Sequence, residues 1–233
     1  MERSFQVQVP VLPARLRPEH ASEMTTQFLF GERVECIEKQ EEWWLVQRKI
    51  ECYPAWVRCT GLTAVSNLEV EGVFQQVLVQ QTQGNFGLVW TPLGAKIKAE
   101  KQAIPELSEW AAMWNGVPYL WGGKTLMGID CSGLSQLYWE SRGILLPRDA
   151  SQQALVGLEV SWLFDSQPGD LVFFDNAEGK IIHVGILLSS NTVLHAAGMV
   201  RTDLIDQQGI YMADEGRYSH SLRLIRRPVP TSV

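Results

Sequence analysis

The stretch Asp130-Cys131-Ser132-Gly133-Leu134 decides the fold of the C-terminal part of the chain. Apolar or small residues then recur at helical spacing before Gly143, namely Leu134, Leu137, Tyr138 and Ser141. Asp130 is a favourable cap, so the pattern predicts a helix that begins at Cys131. Free backbone N–H groups at a helix start can lower the pKa of a thiol and later hold an oxyanion. The sequence therefore favours a nucleophilic cysteine over a buried structural one.

Helices are predicted before the sheet in this half of the chain. Pro105 suits the first turn of a helix that ends near Gly116, because Leu107, Trp110, Ala111 and Trp114 follow helical spacing. Residues 171–174, 181–188 and 192–196 are rich in β-branched, aromatic and other apolar side chains and are predicted to be strands. Helices followed by a run of strands indicate an α+β fold with antiparallel strands.

Two histidines lie on neighbouring predicted strands. His183 is the candidate general base that takes the thiol proton, and a core histidine is the alternative. An adjacent antiparallel strand can bring the ring of His195 against His183 and so orient it. His20 and His220 lie in polar, turn-like segments and are expected to be solvated. Cys131, His183 and His195 could instead be three zinc ligands, but the chain has no Cys-x-x-Cys pair, so no metal is expected.

The N-terminal half contains short predicted strands separated by turns. The predicted strands are residues 26–30, 34–38, 43–46, 55–57, 73–80 and 87–90. Regularly spaced short strands favour a small closed β-barrel. A polar stretch, residues 96–102, is the expected linker, which gives domains of residues 1–98 and 104–233. Core packing is the expected role of Cys36, Cys52 and Cys59.

Composition limits the possible partners and compartments. The 233 residues are 45% apolar and 20% charged, which is ordinary for a globular protein. A formal net charge of −6 argues against nucleic acid or an anionic membrane as the main partner. No stretch approaches the roughly 20 apolar residues that span a bilayer. The four cysteines form no recognisable disulfide framework, so the cytoplasm is the expected compartment, although a removed leader would leave the same sequence.

The motifs together resemble those of the NlpC-type cell-wall cysteine peptidases. The resemblance rests on Pro118-Tyr119-Leu120-Trp121-Gly122-Gly123, Asp130-Cys131-Ser132-Gly133-Leu134, Pro168-Gly169-Asp170-Leu171-Val172-Phe173-Phe174, His183-Val184-Gly185-Ile186 and Leu194-His195-Ala196. It implies a papain-like α+β domain, a Cys131-His183-His195 triad, no cofactor, and cleavage of peptidoglycan stem peptides. Residues 23–32, 43–46 and 53–57 resemble a bacterial Src-homology-3-like (SH3-like) domain.

The two domains together are similar to the γ-D-glutamyl-L-diamino-acid endopeptidases, which act on stem peptides with a free N-terminal L-alanine. That resemblance implies a clamp on the substrate α-amine formed by Glu23, Tyr53 and Asp149, with Ser151 in the same motif as Asp149. A closed groove with carboxylates and a phenol would compensate an ammonium that loses its hydration and would exclude an N-acyl sugar. The alternatives are barrel surface for Glu23, barrel core for Tyr53, and a helix cap for Asp149.

The aromatic motif and the residues beside the cysteine complete the predicted site. The resemblance implies that Tyr119 assists the oxyanion and that Trp121 packs on the substrate, whereas aromatic core is the alternative for both. Asp130 is expected to support the thiol. Ser132 and the backbone around Cys131 are expected to contact the D-glutamyl α-carboxylate.

The main hypothesis is a cytoplasmic cysteine peptidase of murein recycling. Its substrate would be a small peptide, L-Ala-γ-D-Glu-diamino acid, and a monomer is the expected state. An amidase or acyltransferase with the same catalytic half is one alternative, since a fold does not fix a substrate. A catalytically silent wall-binding module, with the barrel as the working part, is the other.

Overall fold

The computed structural model describes residues 4–49, 51–65, 73–74, 79–84, 87–97 and 104–230. These residues form two compact units. The N-terminal unit contains the described residues up to Ile104 together with Trp121–Leu126, and the catalytic unit contains Pro105–Leu120 and the described residues from Met127 onward. Segment 121–126 thus packs with the N-terminal unit, whereas the sequence-based limits assigned it to the C-terminal domain. Of the predicted linker, residues 98–102 lie outside the described residues.

The N-terminal unit is built on a seven-stranded antiparallel, barrel-like sheet. Its strands are β1 (Ser4–Val7), β2 (Val11–Arg15), β3 (Met24–Leu29), β4 (Arg33–Gln40), β5 (Trp43–Gln47), β6 (Ala55–Arg58) and β7 (Leu62–Ala64), in the order β3-β2-β6-β5-β4-β1-β7. One face of these strands buries a core of Phe5, Val7, Leu12, Ala14, Phe28, Val34, Val46, Ala55 and Val57. The four strands predicted between residues 26 and 57 are all present, with ends shifted by up to two residues.

Three strands of this sheet, β1, β2 and β7, were not predicted. Pro10 and Pro13 obscure β2 in the sequence, because proline cannot donate to a strand ladder. Pro13 is accommodated since β2 pairs along its length with β3, whereas its pairing with β6 involves only Arg15 opposite Trp56.

Two further two-stranded antiparallel sheets follow in the same unit. They consist of β8 (Val73–Phe74), β9 (Val79–Gly84), β10 (Gly87–Pro92) and β11 (Lys96–Ile97), with β9 paired to β10 and β8 to β11. The predicted strand over residues 73–80 falls partly on residues 75–78, which lie outside the described residues. The prediction of a strand over residues 87–90 is confirmed.

The catalytic unit combines short helices with a second antiparallel sheet. The helices are α1 (Leu107–Trp114), α2 (Cys131–Glu140) and α3 (Ala150–Gln153). Strand β12 (Lys124–Thr125) belongs to segment 121–126 of the N-terminal unit. The strands of the catalytic unit are β13 (Gly128–Ile129), β14 (Leu158–Val160), β15 (Leu171–Asp175), β16 (Ile181–Ser189), β17 (Thr192–Ala197), β18 (Met199–Ile205), β19 (Gly209–Met212) and β20 (Arg217–Arg227). The α+β architecture with antiparallel strands, predicted from the sequence, is confirmed.

The sheet of the catalytic unit closes on itself. Its strands run in the order β14-β20-β15-β16-β17-β18-β19, and β19 also pairs with β20. The interior is filled by Val160, Leu163, Val172, Phe174, Leu187, Val193, Ile205, Ile210, Met212 and Ile225. Helix α2 packs on β16 and β17, so the start of this helix is held against the strands that carry the two predicted active-site histidines. Within the described residues, no helix combines the length and apolar character needed to cross a membrane.

Candidate active site

Cys131 is the first residue of α2, as the sequence predicted. The Asp130 side chain accepts a hydrogen bond from the Gly133 N–H at 2.7 Å and so caps the helix. Backbone N–H groups of Val184 and Ser132 donate to the Cys131 sulfur. Since Val184 follows His183 on β16, the nucleophile candidate and the base candidate lie on adjoining elements.

The environment of Cys131 does not lower the pKa of its thiol, contrary to the expectation for a helix start. Burial, followed by the charge of Asp130, raises the pKa of Cys131 to about 12. The two backbone donors and the Arg148 guanidinium act in the opposite direction and are outweighed. The thiol is therefore neutral at rest, so a nucleophilic role would require its proton to leave as the sulfur attacks.

His183 and His195 form the hydrogen-bonded pair that the sequence predicted. Antiparallel pairing of β16 with β17 places Gly185 opposite His195, and the alternation of side chains puts His183 on the same face. The Nε2 atom of His183 lies 2.9 Å from Nδ1 of His195, with the two rings nearly perpendicular at 81°. Burial, with the neighbouring His195 and His220, holds the pKa of His183 well below its usual value.

His220 belongs to the same histidine cluster, and the prediction that it is solvated is wrong. It is half-buried on β20, and its ring stacks on that of His183 with a centroid distance of 4.3 Å and an angle of 24°. Burial is the main cause that lowers the pKa of His220 to about 4. The signal in the sequence was alternation, because His220 and Leu222 are spaced to face the same side of a strand. His20, by contrast, is exposed in a turn, as predicted.

Asp203 on β18 extends the histidine pair and was missed in the sequence. Its Oδ2 lies 2.9 Å from Nε2 of His195. Arg201 donates from Nη2 to Oδ1 of Asp203 at 2.8 Å, and its Nε lies 2.6 Å from Oδ2. Arg201 also donates to Asp214 at 2.6 Å. The available signal was strand alternation, because Asp203 and Ile205 are spaced to face the same side of a strand, and both are buried in the structure.

A buried ion pair lies near the thiol. Arg148 donates to both carboxylate oxygens of Asp130, at 3.1 and 2.5 Å, and to the Ser132 hydroxyl at 2.8 Å. The side chains of Arg148 and Asp130 are 2% and 5% exposed. The Ser132 hydroxyl, predicted to contact substrate, is thus occupied by the pair that anchors the start of α2.

Tyr119 precedes this helix and is half-buried. Its backbone N–H donates to the Gly198 carbonyl at 2.9 Å, and its backbone bridges to Ile129, next to Asp130. Burial, followed by the neighbouring Cys131 and Asp130, raises the pKa of the Tyr119 phenol. A phenol that keeps its proton can donate a hydrogen bond to an oxyanion.

Two of the predicted substrate-binding residues come together within the N-terminal unit. The exposed indole of Trp121 donates from Nε1 to the Glu23 carboxylate at 2.6 Å. Tyr53 is half-buried in the segment before β6. In the catalytic unit, Asp149 occupies the N-cap position of α3 without a side-chain capping bond, and Ser151 is exposed on that helix. Among the described residues, no group of three or more His, Cys, Asp and Glu side chains is placed to hold a metal ion.

A thiol at a helix start, beside a histidine pair on an antiparallel sheet, defines a papain-like cysteine hydrolase. Comparison with known proteins is consistent with this class. Residues 116–216 match the NlpC/P60 family, and residues 15–62 match the bacterial dipeptidyl-peptidase SH3 domain. The chain is 30% identical over 213 residues to the γ-D-glutamyl-L-lysine dipeptidyl-peptidase of Bacillus subtilis, which covers 73% of this chain and 71% of that protein. The chain therefore belongs to the NlpC/P60 family of cysteine peptidases.

Two further relatives show how far the likeness extends. The probable endopeptidase NlpC of Escherichia coli is 36% identical over 118 residues, which is 48% of this chain and 76% of that protein. A crystal structure of an NlpC/P60 family protein from Bacillus cereus superposes with a TM-score of 0.69 at 20% identity, covering 97% of this chain and 100% of that chain. The fold predicted from the sequence, a papain-like domain preceded by an SH3-like barrel, is confirmed.

Proposed function

We propose that this peptidase hydrolyses the bond between γ-D-glutamate and an L-diamino acid, in stem peptides with a free N-terminal L-alanine, during murein recycling. The observation that carries the proposal is the similarity to a γ-D-glutamyl-L-lysine dipeptidyl-peptidase, which spans 73% of the chain and so includes both units. Proteins that share the catalytic half alone differ in name, so the substrate assignment depends on the N-terminal unit as well.

In the proposed mechanism, Cys131 attacks the γ-carbonyl of the D-glutamyl residue while His183 takes the thiol proton. Both groups are neutral at rest, because burial raises the pKa of the thiol and lowers that of the imidazole. Proton transfer therefore accompanies formation of the carbon–sulfur bond. The Cys131 N–H and the Tyr119 phenol are the proposed oxyanion donors. His183 then protonates the departing amine, and water, deprotonated by His183, hydrolyses the thioester.

The substrate amine is the proposed determinant of specificity. Glu23, Tyr53 and Asp149 are proposed to hold the ammonium of the N-terminal L-alanine. The Trp121 indole fixes the orientation of the Glu23 carboxylate through its 2.6 Å hydrogen bond. The Asp149 side chain makes no capping bond to α3, which supports a role other than helix capping. A charge-assisted contact of this kind contributes about 1.5–3 kcal/mol, and an N-acetylated alanine would forfeit it.

The test compares free and blocked tripeptides by mass spectrometry of the products. Wild-type protein should release L-Ala-γ-D-Glu from the free tripeptide and cleave the N-acetylated one at least about tenfold more slowly, the factor that 1.4 kcal/mol provides. Cys131→Ala should abolish cleavage, whereas Cys59→Ala, a change of the same type in the N-terminal unit, should leave it intact. Cleavage by Cys131→Ala would contradict the mechanism.

Three other outcomes would favour the alternatives. Equal cleavage of free and acetylated peptides would refute the amine clamp and favour an amidase or a peptidase of intact wall. Transfer of the acyl group to an added amine in preference to water would indicate an acyltransferase. Retention on peptidoglycan sacculi, with no thiol-dependent turnover of any stem peptide, would indicate a silent wall-binding module.

The proposed compartment is the cytoplasm, in which free stem peptides with an unblocked alanine would be the available substrates. The four cysteines lie as separate thiols, which fits a reducing environment. Fractionation of cells that carry the tagged, full-length protein tests this, because recovery in the periplasmic or surface fraction would contradict it.

A further inference from the structure

We propose that Asp203 is a positioning residue that sets the tautomers of His195 and His183 and so leaves Nδ1 of His183 as the proton-accepting atom. The inference rests on the proposed role of His183 as general base. It concerns a residue that does not touch substrate, and it predicts a state of the free protein that can be measured without any substrate.

The geometry of three side chains determines the positions of the protons. Asp203 Oδ2 lies 2.9 Å from Nε2 of His195, and an ionised carboxylate can only accept, so Nε2 of His195 carries a proton. In a neutral imidazole the other nitrogen is then an acceptor. Nδ1 of His195 lies 2.9 Å from Nε2 of His183, so His183 donates from Nε2 and its Nδ1 is left unprotonated.

Arg201 keeps Asp203 ionised and correctly oriented. Burial opposes ionisation, but hydrogen bonds from His195 and Arg201 hold the pKa of Asp203 below its usual value. The Arg201 guanidinium contacts both oxygens of the carboxylate, at 2.8 and 2.6 Å, and is itself held by Asp214. The carboxylate therefore presents a fixed oxygen to His195, and it partly compensates the positive charge that His183 acquires when it takes the thiol proton.

The third histidine does not compete for these hydrogen bonds. His220 stacks face to face on His183, and its Nδ1 lies 2.9 Å from the Ser219 hydroxyl. The centroids of the His220 and His195 rings are 6.0 Å apart, compared with 5.2 Å for the hydrogen-bonded rings of His183 and His195. Among the described residues, the hydrogen bonds of this pair thus join His183 to His195 and His195 to Asp203.

Asp203→Asn inverts the predicted tautomers. Arg201 donates toward the residue at this position, so the amide oxygen turns to the guanidinium and the amide NH₂ faces His195. Nε2 of His195 must then accept, so the proton of this ring moves to Nδ1. Nδ1 of His195 therefore donates to Nε2 of His183, and the proton of His183 moves to its Nδ1. A misplaced tautomer of this kind costs a serine-protease triad about 10⁴-fold in kcat.

The experiment combines kinetics on the stem tripeptide with ¹⁵N NMR of the histidine rings in the full-length protein. Wild type should show His195 protonated at Nε2 and His183 protonated at Nε2. Asp203→Asn should reverse both and lower kcat by about 10²–10⁴-fold, with KM changed by less than about threefold. Asp206→Asn, the same change just after β18, should alter neither the tautomers nor kcat.

Each other result overturns the inference. Protonation of His195 at Nδ1 in the wild-type protein would overturn it directly. This measurement does not depend on whether any variant folds. A variant with unchanged tautomers overturns it whether or not kcat falls, because Asp203 would then have a purely structural role. Should wild type cleave no stem peptide in a Cys131-dependent manner, the proposed function fails while the tautomer measurement still decides the inference.

Discussion

Arg148→Met tests whether the buried Arg148–Asp130 pair anchors the helix that carries the cysteine. Arg148 makes two hydrogen bonds to Asp130 and one to the Ser132 hydroxyl, and both charged side chains are at most 5% exposed. Methionine has a similar length without a charge, so the substitution leaves the Asp130 carboxylate buried without its counter-charge. Removal of one partner from a buried pair costs about 3–5 kcal/mol.

This loss is a large fraction of the stability of a typical domain, which is about 5–15 kcal/mol. A change of 1 kcal/mol shifts the melting temperature by about 2–4 °C at this chain length, so we expect the catalytic unit to melt about 6–20 °C lower. Asp130→Asn together with Arg148→Met removes both charges and keeps a capping side chain. The double variant should be at least about 1 kcal/mol more stable than the sum of the single losses.

The assay is urea unfolding followed by the fluorescence of the tryptophans, of which Trp110 and Trp114 are buried in the catalytic unit. Arg223→Met is the matched control, because the Arg223 side chain is 62% exposed and lies 3.6 Å from Asp175. An exposed pair of this kind contributes about 0–1 kcal/mol. A loss below about 1 kcal/mol for Arg148→Met, or additive losses in the double variant, would refute the reasoning.

Two further predictions concern the protonation of the site. Folded His220 and His183 have lowered pKa values, to about 4 in the case of His220, so between pH 6.5 and 4 the unfolded chain binds protons that the folded chain does not. Unfolding free energy should therefore fall as the pH falls through this window, by at most about 1.4 kcal/mol per pH unit for each histidine. His220→Phe should make the fall shallower and His20→Phe should not, as measured by urea unfolding at each pH; equal slopes would contradict the assignment. The pKa of Cys131 is raised to about 12, so its alkylation by iodoacetamide should still accelerate as the pH rises through 9. Peptide mapping measures this rate, and a plateau below pH 7 would indicate a preformed thiolate instead.

The sequence predicted the helix start at Cys131 and the contact between His183 and His195, because local rules determine both. Asp130 caps a helix at Cys131, and strand alternation together with one short hairpin brings His183 to His195. These relations depend on spacing along the chain and on neighbouring strands, which a single sequence reveals. The resemblance to known families added the order of the motifs and the SH3-like character of the barrel.

The parts that escaped prediction depend on closure of the sheet and on burial. Strand β15 lies between β16 and β20, on the side of β16 that is opposite to β17. This order of strands brings His220 of β20 to His183 of β16. Asp203 reaches His195 across the β17–β18 pairing, and β18 was not among the predicted strands. The raised pKa of Cys131 follows from burial, which the helix start alone does not indicate. Pairing between strands distant in sequence and depth within the core are properties of the folded chain.

Covalent trapping of the acyl-enzyme tests the central claim, that Cys131 is the nucleophile of a γ-D-glutamyl peptidase. Protein and L-Ala-γ-D-Glu-diamino acid are mixed, quenched in acid at early times and digested for mass spectrometry. We predict that L-Ala-γ-D-Glu is bound as a thioester on the peptide that contains Cys131, and that the adduct is lost in Cys131→Ala. Product release without an adduct, together with continued turnover by Cys131→Ala, would contradict the claim.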